Sequence, residues 1–311
     1  MRVNVNGTFL EYDTFGNPDQ APLLLISGLN TPMTRWTQQF CEQLVSSGFY
    51  VVRYNNRDTG LSEHFDRHKP VGLLRLLFAR MWSFKLNLPY TMNEMVKDGI
   101  DLLDKLNIQK AHIVGRSMGG VIAQLMASGY SERVISLTTI MSTTGNRRLP
   151  KPSIQVMRLI LKKAPHPKKN LEGYLQHRIK YTKAIGSTRY PTRNEDIRER
   201  IIDDLSHSGF NPGGGKRQLA ALIQAGDIRI ATRKITCPTL VLHGDCDPLV
   251  PLVCGLDIHK NIKHSKMCVV EDMGHSLHDH FFDTIVREIR LLKDAAEQSC
   301  DQSDVLALQK A

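Results

Sequence analysis

The sequence predicts an α/β fold, in which a mostly parallel sheet is covered by helices on both faces. Over most of the 311 residues, short apolar runs alternate with segments that have helical periodicity. The run at 111–114 is apolar without interruption, which indicates a strand buried on both faces. From 145 to 231 the alternation stops, and the chain reads as helices broken by prolines. This segment is therefore predicted to be a helical insertion.

Each predicted element rests on its own local pattern. Strands are predicted at apolar runs bounded by turn residues: 2–13, 22–27, 50–54, 111–114, 134–140, a run beginning at Thr239, and 266–271. A first helix begins near Thr34, a second opens at a capping-box pattern of Thr91 and Glu94, and a third covers 120–128. Apolar residues spaced three or four apart mark the buried faces of the first, second and last helices: Trp36, Phe40, Leu44, Val96, Ile100, Leu103, Phe281, Ile285 and Ile289.

The most informative motif is the pentapeptide 115–119, Gly-Arg-Ser-Met-Gly, between a predicted strand and a predicted helix. A G-x-S-x-G sequence in that context predicts a sharp turn that exposes the serine hydroxyl at the carboxyl edge of the sheet. A serine hydroxyl becomes an effective nucleophile when a histidine takes its proton and an acid orients that histidine. Ser117 is therefore the predicted nucleophile, provided that the chain supplies both partners.

Candidates for both partners follow later strands. Asp245 and Asp247 share the turn after the strand that begins at Thr239, and His275 follows the strand at 266–271. Serine, aspartate and histidine thus occur in the order used by hydrolases with a nucleophile turn of this kind, each at the end of a predicted strand. The pattern alone leaves both aspartates open as the acid.

Other histidines compete less well. His278 and His280 open the last helix and are predicted to be cap or surface residues, and His243 is predicted to be a packed histidine at a strand end.

Two backbone N–H groups must also stabilise the oxyanion of an acyl-transfer intermediate. We assign these to Met118, directly after the nucleophile, and to Leu29 in the loop after 22–27, with Asn30 as the alternative.

These segments resemble the α/β-hydrolase superfamily, and within it the carboxylesterases similar to aclacinomycin methylesterase. The matching segments extend over most of the chain from about residue 20 to 290: 23–36, 56–62, 89–91, 113–120, 217–221, 237–251 and 274–275. The resemblance implies eight strands and an inserted helical lid after the sixth. It also selects Asp247 as the acid, because that residue directly precedes Pro-Leu-Val-Pro. Ser27 and Asn55 depart from the histidine and aspartate usual at those positions.

The predicted organisation is a hydrolase core over 1–144 and 232–298, a lid over 145–231, and a flexible C-terminal tail over 299–311. No apolar run reaches the roughly 18 residues of a membrane helix, and the first residues lack a signal-like region, so a cytoplasmic protein is expected. None of the six cysteines forms a C-x-x-C pair, and neither a metal nor an organic cofactor is expected.

Two features leave the question of partners open. The net charge is +10, and eleven Lys or Arg residues but one acid lie between Arg147 and Lys183. A solvated basic face is the favoured interpretation, with attraction of anionic substrate or an anionic membrane as the alternative. The segment 71–82 is apolar with arginines and no acids; a core helix is favoured over membrane contact. No nucleic-acid-binding motif accompanies the charge.

The expected function is hydrolysis of a small-molecule carboxylic ester through a Ser-His-Asp triad and an acyl-enzyme. The alternatives are a lipase or thioesterase acting on lipid-like substrates, a serine hydrolase that cleaves carbon–carbon bonds, and a non-catalytic small-molecule receptor. The sequence specifies neither the acyl and alcohol groups of the substrate nor the oligomeric state.

Overall fold

An eight-stranded sheet forms the centre of the molecule, in a computed structural model that describes residues 1–82 and 84–308. Side chains are described in these ranges except those of Leu73, Leu77, Arg80, Met81, Trp82, Leu161 and residues 299–308. The strands are β1 (Arg2–Val5), β2 (Thr8–Phe15), β3 (Ala21–Ile26), β4 (Phe49–Tyr54), β5 (Ala111–Arg116), β6 (Val134–Ile140), β7 (Thr239–Gly244) and β8 (Ser265–Val270).

The strand order is β1-β2-β4-β3-β5-β6-β7-β8, and every pair from β4 to β8 is parallel. The β1–β2 and β2–β4 pairs are antiparallel. The predicted mostly parallel, eight-stranded sheet is therefore confirmed. The carboxyl ends of the parallel strands meet along one edge, where residues that follow them come close together.

Helices cover both faces of the sheet. They are α1 (Gln38–Ser46), α2 (Leu73–Trp82), α3 (Met92–Lys105), α4 (Met118–Gly129), α5 (Ile154–Leu161), α6 (Leu171–Ile185), α7 (Asn194–Ser208), α8 (Pro212–Ala225), α9 (Arg229–Thr232), α10 (Leu252–Asn261) and α11 (Phe282–Leu308). Side chains alternate along β3, so Leu24 and Ile26 join an apolar layer with α3 and α4. Leu23 and Leu25 face the opposite way and pack in a layer with α1 and α11.

Helix boundaries follow local capping chemistry. The Thr91 hydroxyl accepts from the Glu94 N–H and the Glu94 carboxylate accepts from the Thr91 N–H, which confirms the predicted capping box. The first helix begins later than predicted, at Gln38, because the Thr37 hydroxyl caps it by accepting from Phe40 N–H. Trp36 therefore precedes the helix, where it packs fully buried in the apolar layer.

The helices α5 to α9 lie between β6 and β7, where the sequence predicts an insertion; we call residues 145–231 the helical segment. Leu175 and Ile179 of α6 pack against Ile197 and Ile201 of α7, so these two helices share a small apolar cluster of their own. The last helix, α11, extends to Leu308. The flexibility predicted for the tail at 299–311 stays a prediction.

Candidate active site

Ser117 lies on the predicted turn between β5 and α4. Its backbone has φ 53° and ψ −121°, a conformation that side-chain-bearing residues rarely adopt. The neighbouring glycines make this turn possible. A Cβ atom at Gly115 would lie 2.2 Å from the Gly119 carbonyl oxygen, and one at Gly119 would lie 2.2 Å from the Ile26 carbonyl oxygen. Both glycines of the pentapeptide are therefore required by close backbone approach.

His275 contacts both other members of the predicted triad. Its Nε2 lies 3.0 Å from Ser117 Oγ, and its Nδ1 lies 2.6 Å from Asp247 Oδ2. A carboxylate at Nδ1 holds the proton on that nitrogen, which leaves Nε2 as an acceptor for the serine hydroxyl proton. The three side chains come from three strand ends that are far apart in sequence, and the parallel sheet brings them together.

Asp247 is the buried member of the two candidate acids. Its side chain is inaccessible to solvent, whereas Asp245 is exposed. Asp247 Oδ1 accepts from the N–H groups of Leu249 and Val250 at 2.9 and 2.8 Å, so both carboxylate oxygens have partners. These bonds fix the carboxylate with one oxygen directed at His275.

The loop that carries His275 is anchored to the helical segment. The His275 N–H donates to the Ile185 carbonyl at 2.6 Å, at the end of α6 where helix carbonyls lack partners within the helix. A Cβ atom at Gly274 would lie 2.6 Å from the same oxygen. Gly274 therefore allows the catalytic-site loop and the end of α6 to approach each other closely.

The other histidines occupy the structural positions that the sequence predicts. His243 is fully buried, and its Nε2 donates to the Val250 carbonyl at 2.8 Å. Burial lowers the pKa of His243, so the ring is neutral and packs beside Asp247 without competing as its partner. His278 caps the short helical turn that includes His280.

Two backbone donors are available at the predicted oxyanion position. A Cβ atom at Gly28 would lie 3.2 Å from Ser117 Cβ, which brings the start of the Leu29 loop against the nucleophile turn. In the described part of the chain, the N–H groups of Leu29 and Met118 have no hydrogen-bond partner. The N–H of the alternative donor, Asn30, already donates to Gln218 Oε1 at 2.7 Å, which favours Leu29 as the second donor.

Gln218 was not identified from the sequence, although it links the oxyanion loop to the core. It is fully buried, and its Nε2 donates to the Arg57 carbonyl and to Thr59 Oγ1, each at 2.8 Å. Its Oε1 holds Asn30, whose φ of 48° is unusual for a non-glycine residue. The fully bonded amide therefore fixes a strained loop beside Ser117.

Two asparagines that follow β4 also form hydrogen bonds to the loop after β3, which contains Leu29. Asn56 Nδ2 donates to the Ser27 carbonyl at 3.0 Å, and Asn55 Oδ1 accepts from the Met33 N–H at 2.7 Å. The Asn55 amide also donates to Glu11 Oε2. An aspartate at position 55 has no N–H to donate and would set two carboxylates together. The departure at Asn55 is thus explained by the buried Glu11.

A buried ion pair joins three of the segments that carry the family resemblance. Arg217 donates from Nε and Nη2 to the two oxygens of Asp58, at 2.8 and 2.7 Å, and the Tyr90 hydroxyl donates to the same carboxylate at 2.6 Å. Burial raises the pKa of Asp58, but the hydrogen bonds from Arg217, Tyr90 and Phe65 outweigh it and hold the pKa below its usual range. The carboxylate is therefore charged and fully neutralised by its partners.

Arg116 is a buried cation directly before Ser117 in the sequence. Its side chain stacks over the Trp36 ring at 4.9 Å, and Nη1 donates to the Arg35 carbonyl at 3.3 Å. Burial, with the nearby charge of Arg35, lowers the pKa of Arg116 to about 9. The guanidinium is thus mostly protonated at neutral pH. Over residues 1–82 and 84–308, no group of three or more His, Cys, Asp or Glu side chains is arranged to hold a metal ion.

Comparisons with known proteins agree with this architecture. The profile of the alpha/beta hydrolase fold family matches residues 21–281. The chain is 27% identical to rhodomycin D methylesterase DauP of Streptomyces sp. (strain C5), over 84% of this chain and 87% of that protein. It is 26% identical to 3-oxoadipate enol-lactonase 2 of Acinetobacter baylyi, over 84% and 85% respectively. The enol-lactonase structure from Burkholderia xenovorans LB400 superposes with a TM-score of 0.71 at 22% identity, covering 94% of this chain and all of that one.

The chain therefore belongs to the α/β-hydrolase fold family. The segments that resemble the family also include residues outside the candidate active site. Three of these residues, Asp58, Tyr90 and Arg217, meet in one buried cluster. The resemblance to the methylesterase group, suggested by the sequence motifs, is confirmed by the match to rhodomycin D methylesterases.

Proposed function

We propose that this protein hydrolyses small-molecule carboxylic esters, with Ser117 as nucleophile, His275 as general base and acid, and Asp247 as the residue that orients His275. The observation that carries the proposal is the position of the His275 ring, whose two nitrogens lie 3.0 Å from Ser117 Oγ and 2.6 Å from Asp247 Oδ2. These are hydrogen-bond distances suited to proton transfer between serine and histidine.

Each step follows from this geometry. Ser117 Oγ attacks the acyl carbon while His275 Nε2 takes the hydroxyl proton, and Asp247 stabilises the resulting imidazolium. His275 then returns the proton to the leaving alcohol, which produces an acyl-enzyme. Water attacks the acyl group with the same histidine as base, and Ser117 is released with the carboxylic acid product.

The oxyanion of each tetrahedral intermediate is assigned to the N–H groups of Leu29 and Met118. Both donors are unused within the described residues, and preorganised donors of this kind stabilise charge as it develops in the transition state. Arg116 adds a positive field beside the same turn. The hydrogen bonds to Asn30, Ser27 and Met33 keep the Leu29 loop in place during turnover.

The substrate class is supported by the relatives. The matched proteins include methylesterases and enol-lactonases, and both kinds of name describe cleavage of an ester bond. We assign the helical segment the role of a lid, because the end of α6 contacts the loop of His275. Side chains of this segment would then form part of the substrate cavity and determine the acyl and alcohol groups that fit.

The first test is hydrolysis of p-nitrophenyl esters from acetate to palmitate by the parent protein and by Ser117→Ala. Loss of the nucleophile should lower kcat by about 10³-fold or more, with the fold retained by circular dichroism. Ser128→Ala, on α4 and bonded only to the Leu125 carbonyl, is the matched control and should keep full activity.

The chain-length profile separates the alternatives. A maximum at short acyl chains supports an esterase, and activity that rises when the substrate aggregates supports a lipase. A fluorophosphonate probe should label the parent at Ser117. A folded parent that hydrolyses no ester and takes no label would overturn the proposal and favour a small-molecule receptor.

A further inference from the structure

Among its described side chains, helix α2 has buried apolar residues on one side and largely exposed apolar residues on the opposite side. Leu76 and Ala79 are buried and pack with Ala220 of α8, as expected for the core helix that the sequence predicts. Leu74 and Phe78, one turn apart on the other side, are 73% and 56% exposed. A helix at a protein surface ordinarily presents polar residues to water. The outer side of α2 is therefore suited to an apolar environment.

The exposed apolar surface continues just beyond the helix. Phe84 is 52% exposed, and the guanidinium of Arg75 lies 5.9 Å from the centre of its ring. The sequence contains five Lys or Arg residues and no Asp or Glu from residue 67 to 93. We call Leu74, Phe78 and Phe84 the α2 apolar face; its charged neighbours along the chain are all positive.

A basic cavity adjoins this face. It has a volume of about 610 Å³, and Ala79, Phe84 and Ile223 form apolar parts of its wall. Its cations are Lys85, Arg147, Arg148 and Arg229, and its acid is Asp227, which is already bonded to Arg229. For the described residues, neither Lys85 nor the Arg148 side chain has an ion-pair partner. The cavity is thus suited to an anionic group attached to an apolar body.

We propose that the α2 apolar face and the basic cavity dock on an anionic bilayer surface. Leu74, Phe78 and Phe84 enter the region between headgroups and acyl chains, and the cavity takes up an anionic lipid headgroup. Charge complementarity selects this occupant, because basic residues beside exposed apolar side chains match anionic lipids rather than a neutral surface. No helix in the described part of the chain could span a membrane, so the contact is peripheral.

The test is co-sedimentation of the full chain with vesicles. Vesicles of phosphatidylcholine containing about 30% phosphatidylglycerol should bind the protein, and pure phosphatidylcholine should bind it far less. Leu74→Ser/Phe78→Ser should lower the partition coefficient by about tenfold or more, since two apolar anchors are lost. Lys85→Glu/Arg148→Glu should abolish the preference for phosphatidylglycerol, and about 0.5 M salt should weaken binding of the parent.

Matched controls change the same chemistry elsewhere. Leu291→Ser removes an exposed apolar side chain from α11, and Lys110→Glu reverses an exposed charge before β5. Both should bind vesicles as the parent does. All variants should keep the parent's Tm. Ser117→Ala should bind vesicles as the parent does, so the result for membrane binding is independent of the result for ester hydrolysis.

Two results would overturn the whole inference, and a third would overturn the role of the cavity. Absence of binding to anionic vesicles by the folded parent is the first. The second is a parent protein that binds no vesicles and forms a dimer in solution, which Leu74→Ser/Phe78→Ser converts to monomer. The α2 apolar face would then be the contact between two copies of the chain. Equal binding by parent and by Lys85→Glu/Arg148→Glu would likewise remove the role of the cavity.

Discussion

The buried carboxyl edge of the sheet and the outer surface of the helical segment at 145–231 differ in how their charged side chains are paired. At the sheet edge, buried charges have bidentate partners: Arg217, which belongs to α8 of the helical segment, donates to both oxygens of Asp58, and Arg57 donates to both oxygens of Asp98. All four side chains are almost inaccessible to solvent. In the helical segment, cations outnumber acids, and ion pairs such as Arg198 with Glu172 are about half exposed.

This difference separates two tasks. Buried, fully bonded groups fix atoms in position, because breaking any bond leaves an uncompensated charge or polar atom. Exposed charges shape the potential at the surface and hold little in place. The buried network, to which α8 contributes Gln218, therefore holds the Leu29 loop beside the Ser117 turn, whereas the exposed charges of the helical segment face ligands and surroundings.

The largest effect should come from the buried ion pair of Arg217 and Asp58. Arg217→Leu leaves the Asp58 carboxylate buried with only Tyr90 and Phe65 as donors, and removal of one partner of a buried pair costs about 3–5 kcal/mol. The measurement is the free energy of unfolding in urea. Arg217→Lys keeps the charge but loses the two-pronged contact, so it should fall between the leucine variant and the parent. A leucine variant as stable as the parent would contradict the contrast between the two regions.

Gln218→Leu should have the next largest effect, on catalysis. Loss of the bond to Asn30 frees the oxyanion loop, and misplacement of a donor by about 1 Å can lower the rate by about 10²-fold. We expect kcat to fall with KM little changed. Gln224→Leu is the control, because Gln224 lies on the same helix and its Oε1 accepts from the Leu86 N–H, away from the site. An equal loss of kcat in both variants would contradict a specific role of Gln218 in positioning the loop.

His112 gives a core effect that depends on pH. The ring is 2% exposed, and burial, with the charge of Lys293, lowers its pKa to about 4. The unfolded chain takes up a proton below about pH 6.5 and the folded protein does not, so stability falls as pH drops from 6.5 towards 4. Between pH 7 and 5 this amounts to about 2 kcal/mol.

The comparison variant is His112→Asn, which does not titrate and still offers a polar atom near Ser136, the ring's partner at 2.8 Å. Urea unfolding of parent and variant at both pH values isolates the contribution of this histidine. The parent should lose about 2 kcal/mol more than the variant. Equal losses would show that His112 is protonated in the fold.

The smallest effect should come from the helical segment. Arg198→Gln removes an ion pair whose side chains are 41% and 57% exposed, and solvent screens such pairs almost completely. We expect no measurable change in Tm by calorimetry or in the rate of ester hydrolysis. A clear drop in Tm would mean that exposed charges hold the segment together, as the buried charges do at the sheet edge.

The features that sequence could predict are those with a local signature. The turn at Ser117 is indicated by two glycines four residues apart, and strand ends place Asp247 and His275 at the same edge. Gln218 has no such signature, since its partner Asn30 is 188 residues away and an amide in a helix looks like any polar surface residue.

Which residues of α2 are buried could not be predicted from the sequence, for a similar reason. Leu74 and Leu76 are equivalent in a sequence pattern, yet one is 73% exposed and the other 4%. The difference depends on where α8 lies, which is set by long-range packing. The start of α1 was missed because the hydrophobic spacing from Trp36 continues through the capping residue Thr37.

Under the proposed mechanism, the hydrogen bond between the Ile185 carbonyl and the His275 N–H would couple substrate binding to catalysis. The last carbonyl of α6 accepts a hydrogen bond from the backbone of His275, the proposed base, so displacement of that helix end would move the imidazole as well. A ligand that keeps the end of α6 in this position also keeps His275 aligned with Ser117. Discrimination between substrates would then be expressed in turnover as well as in affinity, since a poor fit under α6 leaves the base misaligned.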